Sequence, residues 1–180
     1  MTISALPYLY SLAGISVNFV GFTGVGVILR QAIGPKMSSL DVLFTRIVIH
    51  LGFIVAVGAM LPVLLMLLSL PPSLTWRVSS SVVAVLSFLF AVTYPRRRHA
   101  ASVAQPPALI WIDVVFPLVA AFILTWNAAG LVFEPSPGPF TATLTAILFL
   151  SGWAYLNALS FVLRPEIGLP IGEFNSTGGN

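Results

Sequence analysis

Apolar residues in this chain come in long unbroken runs, not in the alternating or one-faced patterns of a water-soluble fold. Five such runs are parted by short breaks built from Pro, Gly, Ser and Arg. A helix of about 20 mostly apolar residues crosses roughly 30 Å of hydrocarbon, and each run reaches that length. The predicted spans are residues 7–29, 40–70, 74–94, 108–133 and 140–163.

The breaks have local chemical reasons. The first run ends at Arg30. The second follows Ser38-Ser39-Leu40-Asp41, which reads as a capping box, and stops at Pro71-Pro72. It is longer than a bilayer requires, which predicts tilt or projection past the surface. The third is the least apolar: it opens on Trp76-Arg77, carries Ser79, Ser80 and Ser81, and is expected to stop at Pro95 before Arg96-Arg97-Arg98. Pro106-Pro107 suits the start of the fourth span, because proline's missing N–H costs nothing in a first turn. Glu134-Pro135-Ser136-Pro137-Gly138-Pro139 forces a tight turn into the fifth, which Arg164-Pro165 closes. Pro62 and Pro117 fall inside spans and are expected to kink them. The expectation is an all-α, polytopic bundle of five transmembrane helices with short loops over 1–165, and a polar, extended tail over 166–180.

Composition sharpens this picture. Hydrophobic residues make up 58% of the chain and charged residues 7%, and the mean hydropathy is +1.02. A soluble surface carries about a quarter to a third of its residues as Lys, Arg, Glu or Asp, so a lipid-facing exterior is the consistent reading. The basic residues do not form the single patch that nucleic acid requires; they sit at the ends of the apolar runs. Five spans place Arg30, Lys36, Arg46, Arg96, Arg97, Arg98 and Arg164 on one side and Arg77 alone on the other. That asymmetry predicts an outside N-terminus and a cytoplasmic C-terminus. Met1 to Leu6 holds no basic residue, so the first run is expected to be a retained helix and not a cleaved signal. Small size and lean loops favour a bacterial inner membrane. Asn175-Ser176-Thr177 matches a glycosylation sequon but falls in the expected cytoplasmic tail.

Candidate chemistry is sparse. The chain has no cysteine, which excludes disulfides, iron–sulfur clusters and thiolate metal sites. No lysine lies within a span to carry a Schiff base, and no nucleophile–base set or paired intramembrane carboxylates appear. The expectation is a protein that is not an enzyme and uses no cofactor. Polar groups inside a membrane are costly and so are functional candidates by default. They are Asn18 in the first span, His50 in the second, Asp113 and Asn127 in the fourth and Asn157 in the fifth. His50, Asp113 and Asn157 share a leaflet in this topology, with Asn18 in reach, which suggests a small polar cluster and a proton-sensitive His50–Asp113 pair. The plainer reading makes His50 and Asp113 interfacial anchors and the asparagines hydrogen-bonding links between helices.

Small residues supply the other signal. Gly14, Asn18, Gly21 and Val25 follow helical spacing, with Gly24 and Gly26 close by, and predict a tight helix–helix contact. Gly52, Ala56 and Ala59, and Thr141, Thr145 and Gly152, make similar stripes on the second and fifth spans. Tyr8, Tyr10, Trp76, Tyr94, Trp111 and Trp126 are expected to form aromatic belts, and Arg96, Arg97 and Arg98 to anchor topology at lipid headgroups. Three functional readings follow. The leading one is a non-catalytic membrane subunit that packs against itself or a larger complex through small-residue helix faces. The alternative is a small homo-oligomeric channel or transporter with a polar pathway near His50 and Asp113. The third is a pigment- or haem-binding subunit using His50.

Overall fold

The computed structural model describes residues 5–33, 39–100, 107–130 and 134–162. These form five helices and, among the described residues, no strand: α1 (Leu6–Ile33), α2 (Ser39–Leu67), α3 (Pro72–Ala100), α4 (Pro107–Ala129) and α5 (Pro137–Val162). All five are long and apolar enough to cross a membrane. Ser38, Lys36, Pro106, Phe133, Arg164, Pro165 and the tail over 166–180 lie outside the described residues.

The exterior shows what solvates the molecule. Phe22, Phe53, Phe122 and Phe149 are all more than 60% exposed. A belt of such side chains around the bundle is compatible with lipid, not with water. The chain is a multi-pass membrane protein. Successive helices pack as antiparallel neighbours, and α5 closes the bundle by returning against α2 and α1. The core lies where α2, α3 and α5 meet, around Val55, Ala59, Trp76, Val83, Phe140 and Leu144.

Several boundaries depart from the sequence expectation: α1 runs past Arg30 to Ile33, α4 ends at Ala129 and α5 starts at Pro137, and two further departures have a clear local cause. α2 ends at Leu67 rather than Leu70, because Ser69 takes the left-handed conformation (φ 60°). Ser69 N–H then donates to the Met66 carbonyl at 2.9 Å and Leu70 N–H to the Leu65 carbonyl at 3.3 Å, the paired bonds of a Schellman cap. Pro72 opens α3, with Thr75 N–H bonded to the Pro71 carbonyl. At its other end α3 does not stop at Pro95; it runs on through Arg96, Arg97 and Arg98 to Ala100. Proline removes one N–H, and Ala91 alone loses its usual donor, so one missing bond does not end a helix held by its neighbours.

The serines that weaken the third span's hydropathy are also explained. Ser79 and Ser80 are fully buried and Ser81 is exposed, so two of the three face protein and not lipid.

Candidate functional site

The most extensive helix–helix contact joins α3 and α4, and it is where the polar side chains concentrate. On α3, Ser80, Ala84, Ser87, Ala91 and Tyr94 recur at alternating spacings of four and three, and every one is buried. On α4, Asp113, Pro117, Ala120, Leu124 and Asn127 do the same. Small side chains dominate the α3 row, with Ala120 at the middle of the α4 row, so the two backbones can approach closely along an antiparallel seam.

Each end of that seam is fastened by a hydrogen bond. At one end Tyr94 Oη donates to Asp113 Oδ2 at 2.6 Å. Arg98, one helical turn beyond Tyr94, lies in the electrostatic neighbourhood of the same carboxylate. At the other end Asn127 Nδ2 donates to Ser80 Oγ at 2.9 Å. Its amide also grips the turn that starts α5: Nδ2 donates to the Ser136 carbonyl and Ser136 N–H donates to Oδ1, both at 3.2 Å. Asn127 therefore ties α3, α4 and the cap of α5 together. Pairing Tyr94 with Asp113 and Ser80 with Asn127 sets Ser87 level with Ala120 midway.

The α1–α2 pair uses the same device at its centre. Ser16 Oγ donates to the Gly52 carbonyl. A Cβ added to Gly52 would sit 2.6 Å from Val20 Cγ2, so the absent side chain is what lets α1 approach. Gly58 does likewise toward α3 and α5: a Cβ there would lie 2.8 Å from Val83 Cγ2 and 2.9 Å from Leu144 Cδ2. Elsewhere Tyr8 Oη bonds Thr145 Oγ1 at 2.6 Å, linking α1 to α5. Most remaining hydroxyls, such as Thr23, Thr125 and Thr143, donate to the carbonyl one turn back in their own helix.

Set against these contacts, the described members of the expected polar cluster are not brought together. Asp113 is 6% exposed and bonded to Tyr94, neither a headgroup anchor nor a partner of His50. His50 is exposed, and its Nδ1–H donates to the Arg46 carbonyl of its own helix at 2.6 Å. α2 and α4 share no substantial contact. Asn157 lies within α5, but its side chain falls outside the described residues. Asn18 is exposed, near the middle of the span Leu6–Leu29.

The glycines of α1 also differ from expectation within the chain. Gly14, Gly21, Gly24 and Gly26 have nothing within 4 Å of a would-be Cβ. α1 turns Leu9, Leu12, Ala13 and Ser16 inward instead, and the row holding Gly14, Asn18 and Gly21 points outward. Two of the expected belt aromatics are interior: Trp76 and Tyr94 are each 1% exposed, whereas Tyr8, Tyr10, Trp111 and Trp126 face outward. Arg96 is exposed, and Arg97 and Arg98 are half-buried on the last turn of α3.

Sequence reasoning missed Gly58, Ser87 and the Tyr94–Asp113 bond. A four-and-three count of small residues along the third span, Ser80, Ala84, Ser87 and Ala91, would have found the α3 side of the seam. Thr75 Oγ1, Trp76 Nε1, Ser79 Oγ and Ser87 Oγ are buried without a partner, all on the inward side of α3. A surface groove of about 590 Å³ beside Ala84, Phe88, Leu118 and Ala121 has no ionisable residue in its lining. Neither known protein families, nor curated proteins, nor solved structures show a match to this chain.

Proposed function

We propose that this protein is a non-catalytic subunit of the bacterial inner membrane, N-terminus outside and C-terminus cytoplasmic, that associates through the outward face of α1. The orientation rests on the distribution of arginines between the two sides. The reading of function rests on one observation. The interhelical polar contacts fasten helix to helix within the chain, as at Asp113 and Asn127, whereas the Asn18 amide, midway along its span, faces outward and bonds to no described residue.

An amide left in hydrocarbon costs several kcal/mol unless something supplies partners. α1 is also the least buried span: 22% of its apolar window is covered, against 56% for α2. A helix so lightly held, with an unmet polar group amid small residues, is suited to packing against another transmembrane surface. The channel alternative has less support, because it needs His50 and Asp113 on one pathway, and they sit on helices that do not pack together.

Gentle extraction followed by native mass spectrometry tests this. The expected result is a particle heavier than the single 19.2 kDa chain. Gly21→Leu should release the 19.2 kDa chain with its helical content and unfolding midpoint unchanged. A lone monomer from native membranes, with nothing co-purifying, would sink the proposal.

A further inference from the structure

The free row on α1 has a specific form. Ser11, Gly14, Asn18, Gly21, Val25 and Ile28 recur at alternating spacings of three and four, and all six are exposed. This is the heptad spacing of a left-handed helix pair. It lies on a different side of α1 from the row Leu9, Ala13, Ser16 and Val20, where Ser16 and Val20 meet Gly52 of α2. α1 therefore carries two seams of the same period, one filled within the chain and one open.

We infer, building on the proposed function, that the open seam docks a second copy of this chain, with α1 parallel to α1 about a two-fold axis along the membrane normal and Asn18 against the partner subunit's Asn18. Two copies inserted by the same topology rule carry α1 in the same direction at the same depth. A two-fold axis then brings each residue opposite itself. Most polar side chains do badly in that position, since carboxylates or ammonium groups would repel their own image. An amide does not: it holds N–H donors and a carbonyl acceptor, and complements an identical amide. The seam contains no charged residue.

Its neighbours suit the role. Asn has a short side chain, so two amides meet only if the backbones approach closely. Gly14 and Gly21, about one turn to either side of Asn18, permit that, with open space where a Cβ would project. Ser11 needs no partner, because its hydroxyl already donates to the Pro7 carbonyl at 3.0 Å. Asn18 is left as the seam's one unmet polar side chain, and a lipid acyl chain laid along it would leave the amide unmet. A single polar residue in such a seam also fixes register, as buried asparagine does in soluble coiled coils.

The absence of native cysteine makes disulfide cross-linking a direct test. Single-cysteine variants of the full chain, S11C, G14C, G21C and V25C, are oxidised in native membranes, with I15C and G24C as controls a quarter-turn to either side. Cross-linked dimer is expected at the four seam positions and not at the controls. In the G14C background, Asn18→Leu should reduce dimer yield about tenfold, the loss corresponding to an interhelical amide bond in lipid; Asn18→Gln should retain most of it. A yield that Asn18→Leu leaves unchanged, or equal cross-linking at seam and control positions, overturns the inference. If no seam position cross-links but a different protein co-purifies and is lost with Asn18→Leu, the second-copy inference fails while the association reading stands. If neither occurs, both fail.

Discussion

Asn127 and Asn18 are the same side chain put to opposite use. Asn127 is 7% exposed at the end of the α3–α4 seam, and its amide meets Ser80 and both backbone groups of Ser136. Asn18 stands on the outside of α1 with small residues around it and no bond to any described residue. The helices beneath them differ in the same way. α4 is locked at both ends to α3, whereas α1 rests mainly on α2 and leaves its opposite side bare. Spacing alone does not separate these cases, since both rows follow the four-and-three rule. The neighbouring helix decides which row becomes core and which is left for something else.

The sharpest way to break this comparison is through glycine. Gly58 lies where α2, α3 and α5 converge, against Val83 and Leu144. Gly58→Leu should cost about 3 kcal/mol, the upper end of what overpacking costs, and blunt the cooperative unfolding transition in mixed micelles, since a packed junction cannot absorb that volume without displacing helices. Gly14→Leu should leave the monomer's unfolding midpoint unchanged, because its would-be side chain meets open space. If both variants behaved alike, the division between a filled and an open face would be wrong.

Removing the amides comes next. Asn127→Ala deletes three hydrogen bonds at one junction, and interhelical bonds in lipid average about 0.6 kcal/mol each with individual values up to about 2. A loss of about 1–3 kcal/mol is expected, with earlier protease or exchange access at the α4–α5 turn. Asn18→Ala should leave chain stability unchanged and lower only the associated fraction. Measuring both effects in one detergent separates folding from assembly.

Much of this arrangement was legible beforehand. Five spans and an all-helical bundle follow from run length and hydropathy, which depend only on residue identity. The third span's serines hinted at an inward face, because a polar hydroxyl in a membrane helix needs somewhere to go. What could not be read was pairing. Asp113 looked like a headgroup anchor because its depth is near the helix start, and depth is a one-dimensional property; that Tyr94 covers it depends on the register of two helices. Trp76 and Tyr94 were placed in the aromatic belts for the same reason: position along the span was visible, but rotation about the axis was not. Gly14 and Gly21 carry the spacing of a packing face, yet within the chain they meet open space; nothing in a single chain's sequence says whether such a face is used inside the chain or outside it.

The Tyr94–Asp113 end of the seam gives a smaller effect. Tyr94→Phe removes the O–H that donates to Asp113 Oδ2 and leaves a buried carboxyl without that partner. Losing one side of a buried hydrogen bond costs about 1–3 kcal/mol. Asp113→Asn keeps an acceptor for the tyrosine and should cost less than Tyr94→Phe, measured side by side in chemical unfolding. The reverse order would mean that the charge of Asp113 beside Arg98, and not the hydrogen bond, holds this end.

The smallest expected effect concerns how the two helix ends are capped, and it is stabilising. α4 ends with Gly130 in the left-handed region at φ 66°, where glycine carries no Cβ penalty. α2 ends the same way at φ 60°, but with Ser69, whose Cβ crowds the following carbonyl. The α2 cap persists because Ser69 and Leu70 N–H satisfy carbonyls that a membrane helix end would otherwise leave bare. Ser69→Gly should therefore keep both bonds and relieve about 1 kcal/mol of backbone strain, partly offset by the greater freedom of glycine in the unfolded chain. The net gain should be a few tenths of a kcal/mol, seen as a small rise in unfolding midpoint with unchanged oligomeric state. Gly130→Ser should move the midpoint down by a similar amount. Because both sites lie on turns and not on the α1 seam itself, any change in association in either variant would show that loop geometry, and not the free face of α1, controls assembly.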